Sequence, residues 1–431
     1  MVPKPKIKFY LTFLSPTWRG ICFDKPFFYG KQSTNNFCNP PYFEEKMILF
    51  LLACTPDKEI EDFAGLDVLG FEDNDSEDVL WTLIGDSSDG LSTPRDLGFN
   101  PEREGELWVV NRDDDSVSIF FDAADNRQES DHIIDPYALH FMEEVSSIAF
   151  GATDTFATCH ESRNTYNDQG APNDFMGPTL WSSDLDIFGT SNPEAVEYLT
   201  DLFGMPTDLG SHLDMLHESP LCMGIEWQAD NVYWVFNGQD GSIDRNDFKI
   251  DHGVGFDDHS DGTIFKYGVG EFERVPDVPS HMKLDHSSRY LYIADSGNNA
   301  IKVLDIREGD ADQRQATMEP GTQHYTMTGE EIWTLIDGDD FGMEVPSGLT
   351  IVDDTIFVTD NATSTIFAFT LEGELIDSLE TPFPSGALMG IYGSSIDDLW
   401  LVNSVDDEVW RLQPADADSE QVPTVDEYTT F

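Results

Sequence analysis

Positive charge is what this chain has least of. Its 431 residues hold 23 Lys and Arg against 83 Asp and Glu, a formal net charge of −60. A surface of that sign repels phosphate backbones and anionic lipid headgroups, so nucleic acid and anionic membrane surfaces are excluded as partners. Long apolar runs are also missing. The longest candidate, residues 47–53, falls far short of the roughly 20 residues of a spanning helix. There is no glycine loop that would cradle a phosphate and no serine nucleophile elbow. Cysteine is scarce, at five residues. What remains is ample for folding: 39% hydrophobic and 12% aromatic residues can build a core, and disorder is not implied.

The acid excess is uneven. Residues 1–54 carry seven basic groups (Lys4, Lys6, Lys8, Arg19, Lys25, Lys31, Lys46) and three acidic ones (Asp24, Glu44, Glu45). The rest of the chain therefore has 80 acidic and 16 basic groups. Inside the first segment, Met47-Ile-Leu-Phe-Leu-Leu-Ala-Cys54 ends in Leu-Leu-Ala-Cys, which resembles a bacterial lipobox. The resemblance implies signal cleavage, lipid on Cys54, and a cell-envelope protein tethered by acyl chain rather than spanning the membrane. Translation from Met47 would make residues 1–46 an untranslated leader; a true N-terminal extension with a chance Leu-Leu-Ala-Cys is the alternative. Cys22 and Cys38 fall in the same segment. Cys159 and Cys222 are then the pair left in the folded part, and in an exported protein a disulfide is their simplest state.

An acidic linker, 55–77, leads into repeats. Trp81-Thr-Leu-Ile84 followed by Pro94 has a copy in Trp333-Thr-Leu-Ile336 followed by Pro346, both offset by 252 residues. Each copy continues into alternating strands, Glu106–Asn111 and Ser116–Phe120 in one, Thr355–Asp360 and Ser364–Phe369 in the other. Four further units start near Val145, Cys222, Val278 and Leu388. Short alternating strands in repeated order indicate radial repetition, because one unit alone exposes a sheet face and two edges. The expected fold is all-β: a six-bladed propeller over 78–413, with an acidic tail at 414–431. Trp81-Thr-Leu-Ile84 is expected to close the ring as the outer strand of the last blade. Pro279-Ser-His-Met-Lys-Leu284 with Tyr290-Leu-Tyr-Ile-Ala-Asp-Ser-Gly-Asn-Asn-Ala-Ile301 resembles the NHL-type six-bladed propellers. That resemblance is specific for fold. The group includes lyases, lactonase-like hydrolases, dehydrogenases and binding domains, so it leaves function open.

Three segments interrupt the repeat: 160–178, 206–221 and 238–262. Read as insertions before first strands or between second and third strands, all three would crowd one face over two neighbouring blades, where loops on a rigid scaffold carry function. Seven of the ten histidines lie from His160 to His286. His160, His217, His252, His259, Asp261 and His281 are the candidate metal ligands, since imidazole and carboxylate hold zinc-like ions and carboxylates hold calcium. A divalent ion, calcium or zinc, is the expected cofactor. Copper fits only if Cys159 and Cys222 are free thiols. Asp257 and Asp258 are the candidate general bases toward metal-bound water. Each of these side chains has a plainer reading too, as a turn cap or a partner of Arg163 or Arg245. Asp96, Arg112, Asp295 and Asn298 sit at strand ends or turns, where they close turns or face the channel mouth and bind ligand. Three functions follow: a monomeric propeller whose His/Asp-rich, metal-stabilised loops bind a small molecule or protein, a metal-dependent lyase or hydrolase with its ion at the channel mouth, or an adhesion or assembly scaffold with no ion.

Overall fold

A computed structural model describes residues 65–70, 76, 78–164, 173–415 and 417. The lipobox-like stretch and Cys54 lie outside these residues, as does most of the acidic tail. Among them, no helix is long and apolar enough to cross a membrane.

The strands form six sheets. Blade 1 is Pro94–Phe99, Leu107–Asn111, Ser116–Phe121 and Glu129–Ile134, and blade 2 is Val145–Phe150, Thr155–His160, Thr179–Ser182 and Asp214–Met215. Blade 3 is Cys222–Ala229, Val232–Asn237, Ser242–Asp247 and Thr263–Tyr267. Blade 4 is Met282–Asp285, Tyr290–Asp295, Ala300–Asp305 and Glu331–Asp337; blade 5 is Pro346–Val352, Thr355–Asp360, Thr365–Thr370 and Leu375–Glu380. Blade 6 takes Leu388–Ser395, Asp398–Asn403 and Glu408–Pro414 from the end of the chain and Val79–Gly85 from its start. Trp81 is opposite Leu412 and Leu83 opposite Trp410 in that last pairing, so the ring closes as expected. The six-bladed propeller is the fold of this chain.

The alternation of one strand explains the packing. In Tyr290–Asp295, Leu291 and Ile293 join a cluster with Trp234 and Phe236 of blade 3. Tyr292 and Ala294 join the next cluster, with Leu349 and Val358 of blade 5. Successive side chains point to opposite faces of a strand, so one run of apolar residues feeds two inter-blade cores. Each fully buried Leu or Ile contributes about 1.5–3 kcal/mol, and none of this burial is available to a blade on its own.

Consecutive first strands touch one another around the axis. Where they meet, backbone approaches backbone. A Cβ on Gly224 would stand 2.0 Å from the Ser280 carbonyl oxygen, and one on Gly348 2.2 Å from that of Met389. Glycine is required at both places by closeness rather than by an unusual dihedral.

One expectation needs correction. The third strand of blade 3 is Ser242–Asp247, and Thr263–Tyr267 is its fourth. The interruption is therefore shorter and follows the third strand. It leaves from the rim opposite to the one at which strand Thr155–His160 ends. Gly255 N–H bonds the His212 carbonyl oxygen at 2.8 Å. This lays the insertion against the segment that enters the outermost strand of blade 2. Blade 3 is widened further by two strands, Gln323–Thr328, parallel to Thr263–Tyr267, and Asp310–Arg314.

Candidate metal centre at the perimeter of blades 2 and 3

The site is assembled from the outer edge of blade 2 inward. Asp214 and Met215 form a two-residue outermost strand, pinned by Met215 opposite Thr179. Asp214 is completely buried. Its Oδ1 accepts from Met215 N–H at 2.7 Å and from His259 Nδ1 at 2.8 Å. Its Oδ2 has no hydrogen-bond partner. One donor atom each of Asp214, His252 and Asp261 lies within 4.8 Å of the other two. His252 Nε2 is 3.2 Å from Asp261 Oδ1, and His252 Nδ1 is 3.9 Å from Asp258 Oδ2. An orphaned buried carboxylate oxygen costs free energy unless a cation or donor meets it, so the chemistry of these residues fits a divalent ion. Among the described residues this is the one such trio.

Imidazoles crowd the other side of Asp214. The ring of His259 lies 5.5 Å from that of His212 and 5.4 Å from that of His217, centroid to centroid. His217 is stacked on Phe175 at 3.7 Å, and His212 on Phe141 at 3.6 Å. Burial pushes His212 and His217 well below the ordinary imidazole value. Burial opposes charge on His259 too, but the hydrogen bond to Asp214 and the Asp257 carboxylate 3.6 Å from Nε2 outweigh it and carry that group up to about 9. Burial raises Asp214 to about 6, against its bond to His259. The two values agree with an ion pair at neutral pH. Asp257 is held below the usual carboxylate range by the His259 imidazole beside it, and Asp258 by its bond to Ser260.

The other expected site residues are distributed differently. His160 is buried with both nitrogens engaged, Nδ1 to the Gly177 carbonyl at 2.9 Å and Nε2 to Thr158 Oγ1 at 2.9 Å. It has no lone pair to offer a metal while those bonds stand. His281 lies at the axis, away from the perimeter. Its Nε2 is 3.5 Å from Asp96 Oδ2, across the ring between opposite blades, and 3.3 Å from the Ser146 carbonyl. Asp96 thus faces His281 at the axis. Burial raises its pKa, partly offset by His281. Arg112 joins an ion network at the mouth, with Nη2 2.9 Å from Asp277 and Nε 3.7 Å from Glu161. Asp295 and Asn298 close a turn: Asn298 Nδ2 donates to Asp295 at 2.7 Å, and Asp295 also takes Glu273 N–H at 2.9 Å and pairs with Lys302 at 2.7 Å.

Cys159 and Cys222 form a disulfide, with Cα atoms 5.2 Å apart. It links blade 2 to blade 3 beside the cluster. Both sulfurs are consumed, so the thiolate site that would have favoured copper is not formed. Asp214, Glu319 and His140 are the parts of this region that motif reading passes over. Glu319 arrives from the excursion of blade 4, where Met318 N–H also bonds Glu218.

No family model and no curated protein matches the chain. Solved structures do. An auxiliary nutrient binding protein from Bacteroides thetaiotaomicron aligns at 12% identity and a TM-score of 0.45, over 74% of this chain and 68% of that one. A catalytically inactive virginiamycin B lyase from Staphylococcus aureus, solved with quinupristin, aligns at 13% and 0.42, over 79% and 90%. The calcium-binding protein regucalcin from Agrobacterium tumefaciens aligns at 11% and 0.44, over 78% and 93%. Likeness at this level concerns fold alone.

Proposed function

We propose that this protein is an exported propeller of the cell envelope, tethered by lipid on Cys54 and acting as a monomer. Its inserted loops form a binding face for a small molecule or protein, held in shape by a divalent ion on Asp214, His252 and Asp261. The supporting observation is the fully buried Asp214 carboxylate, whose Oδ2 is unpartnered beside an imidazole and a second carboxylate. Two oxygens and one imidazole suit calcium or zinc. The ion would join the outer strand of blade 2 to the blade 3 insertion. Elemental analysis of the full chain before and after chelation tests this, with Asp261→Asn as the variant. One ion per chain, lost in the variant, supports the reading. A metal-free protein whose stability ignores chelator rejects it.

A second reading, metal-dependent hydrolysis or elimination, is favoured by one observation. Asp261 also lines an open groove of about 820 Å³, together with Arg245, Asp247, Lys249 and Gln323. An ion bound to Asp261 would be near solvent there, with Asp257 or Asp258 as base toward its water. A catalytic ion keeps an open coordination position and a structural one does not. Water exchange on a bound manganese ion, read by proton relaxation, separates the two.

A further inference from the structure

We infer that His212, His217 and His259 form a second, imidazole-rich metal site, selective for a zinc-like borderline ion. It is independent of the ion on Asp214, His252 and Asp261, although Asp214 stands between the two. All three rings are buried: 0%, 2% and 1% exposed in that order. In each, Nδ1 faces an oxygen. His212 Nδ1 is hydrogen-bonded to the Leu209 carbonyl at 2.9 Å and His259 Nδ1 to Asp214 Oδ1 at 2.8 Å, whereas His217 Nδ1 lies 3.2 Å from Glu319 Oε2 without hydrogen-bond geometry. Met215 N–H lies 3.1 Å from His259 Nδ1 but closer, 2.7 Å, to Asp214. That leaves the His259 Nδ1 proton to the carboxylate.

The consequence falls on Nε2. A neutral imidazole that donates through Nδ1 carries its lone pair on Nε2. In all three residues Nε2 is buried and has no hydrogen-bond partner. Three unpartnered ring nitrogens in a dry interior are costly, and a cation that binds all three, displacing the proton of His259, removes the cost at once. An oxygen fixing Nδ1 while Nε2 binds metal is the arrangement that orients ligating histidines. The spacing agrees. Zinc–nitrogen bonds of about 2.0–2.1 Å at tetrahedral angles put imidazole centroids about 5 Å apart, and the two spacings involving His259 are 5.5 and 5.4 Å. The three nitrogens do not yet lie within 4.8 Å of one another, so binding requires a small ring rotation. Asp257, whose Oδ1 is 3.6 Å from His259 Nε2, is placed to supply the fourth ligand. Soft-sulfur ligands are absent from the set, and nitrogen with one oxygen favours zinc over calcium.

The test is a titration of chelator-stripped full chain with cobalt(II), which reports its own coordination. Wild type should take two ions, one giving the strong visible absorption of a four-coordinate site. His217→Gln should lose that absorption and one ion. His252→Ala should lose the other ion and keep the absorption. Excess zinc should bleach the signal while excess calcium leaves it. The proposal is overturned if wild type gives only weak six-coordinate absorption, or if His217→Gln keeps the strong band. Should His217→Gln lose its far-ultraviolet dichroism, the wild-type spectrum and its response to zinc decide by themselves. A wild type that binds only the four-coordinate ion, with no His252-dependent one, contradicts the proposed function and leaves this inference standing.

Discussion

His160 carries the most quantitative prediction. It is fully buried, and burial drives its pKa down to about 3 against an ordinary 6.5. The folded value is depressed, so the folded protein keeps this imidazole neutral while the unfolded chain takes up a proton below 6.5. Its contribution is intact above 6.5 and is lost progressively as pH falls from 6.5 toward 3. Linkage gives about 1.3 kcal/mol lost between pH 7 and pH 5.5 for one such group. The whole chain cannot test this directly, because lowering the pH also relieves repulsion within a −60 protein. The difference between wild type and His160→Gln can. Gln offers the Gly177 carbonyl a donor but has no titration in this range, so the variant should begin less stable and lose less on acidification. Denaturant midpoints with chelator present, at fixed salt, should show the gap between the two proteins narrowing by about 1.3 kcal/mol from pH 7 to pH 5.5. An unchanged gap would show that His160 titrates normally in the fold, and the burial argument would fail.

Other perturbations have equally definite outcomes. Cys159 and Cys222 are 63 residues apart, and loop entropy puts the bridge at about 4 kcal/mol; replacing both by Ser should lower the urea midpoint accordingly, and an unaltered midpoint would count against the staple. Gly224→Ala should destabilise by more than the roughly 1 kcal/mol gain or loss of an ordinary Gly–Ala exchange, since the added methyl meets the Ser280 carbonyl; a neutral effect in thermal melts would place the first strands farther apart than described. Mass spectrometry of native protein should find a diacylated or triacylated N-terminal Cys54; an unmodified terminus upstream of Met47 contradicts the tether.

The propeller was legible because its determinants are local and repeated. Tryptophans and prolines 252 residues apart marked equivalent strands, and closure by Trp81-Thr-Leu-Ile84 followed from where its copy sits. The third strand of blade 3 was not legible. Ser242-Ile-Asp-Arg-Asn-Asp247 reads as a loop because its polar side chains look unburiable. In the fold Asp244 is fully buried and accepts from Ser219 at 2.8 Å, Asn237 at 2.8 Å and Ser242 at 2.7 Å. Missing that strand misplaced the insertion by half a blade. The histidines were then expected at the channel mouth, whereas His217, His252 and His259 gather on the perimeter. His281 keeps to the axis because it immediately precedes a first strand, Met282–Asp285. Asp214 and Glu319 had no motif to announce them; each is a single acid in a chain of 83 acids, and only the contacts of its neighbours distinguish it.

The central claim is that Asp214 organises metal binding between blades 2 and 3. The most direct measurement is metal content of the full chain purified without chelator, for wild type and Asp214→Asn in parallel. Bound divalent metal in the wild type, with loss of the His252–Asp261 ion in Asp214→Asn while the fold persists, is the result expected. Equal metal in both proteins, or none in either, would contradict it.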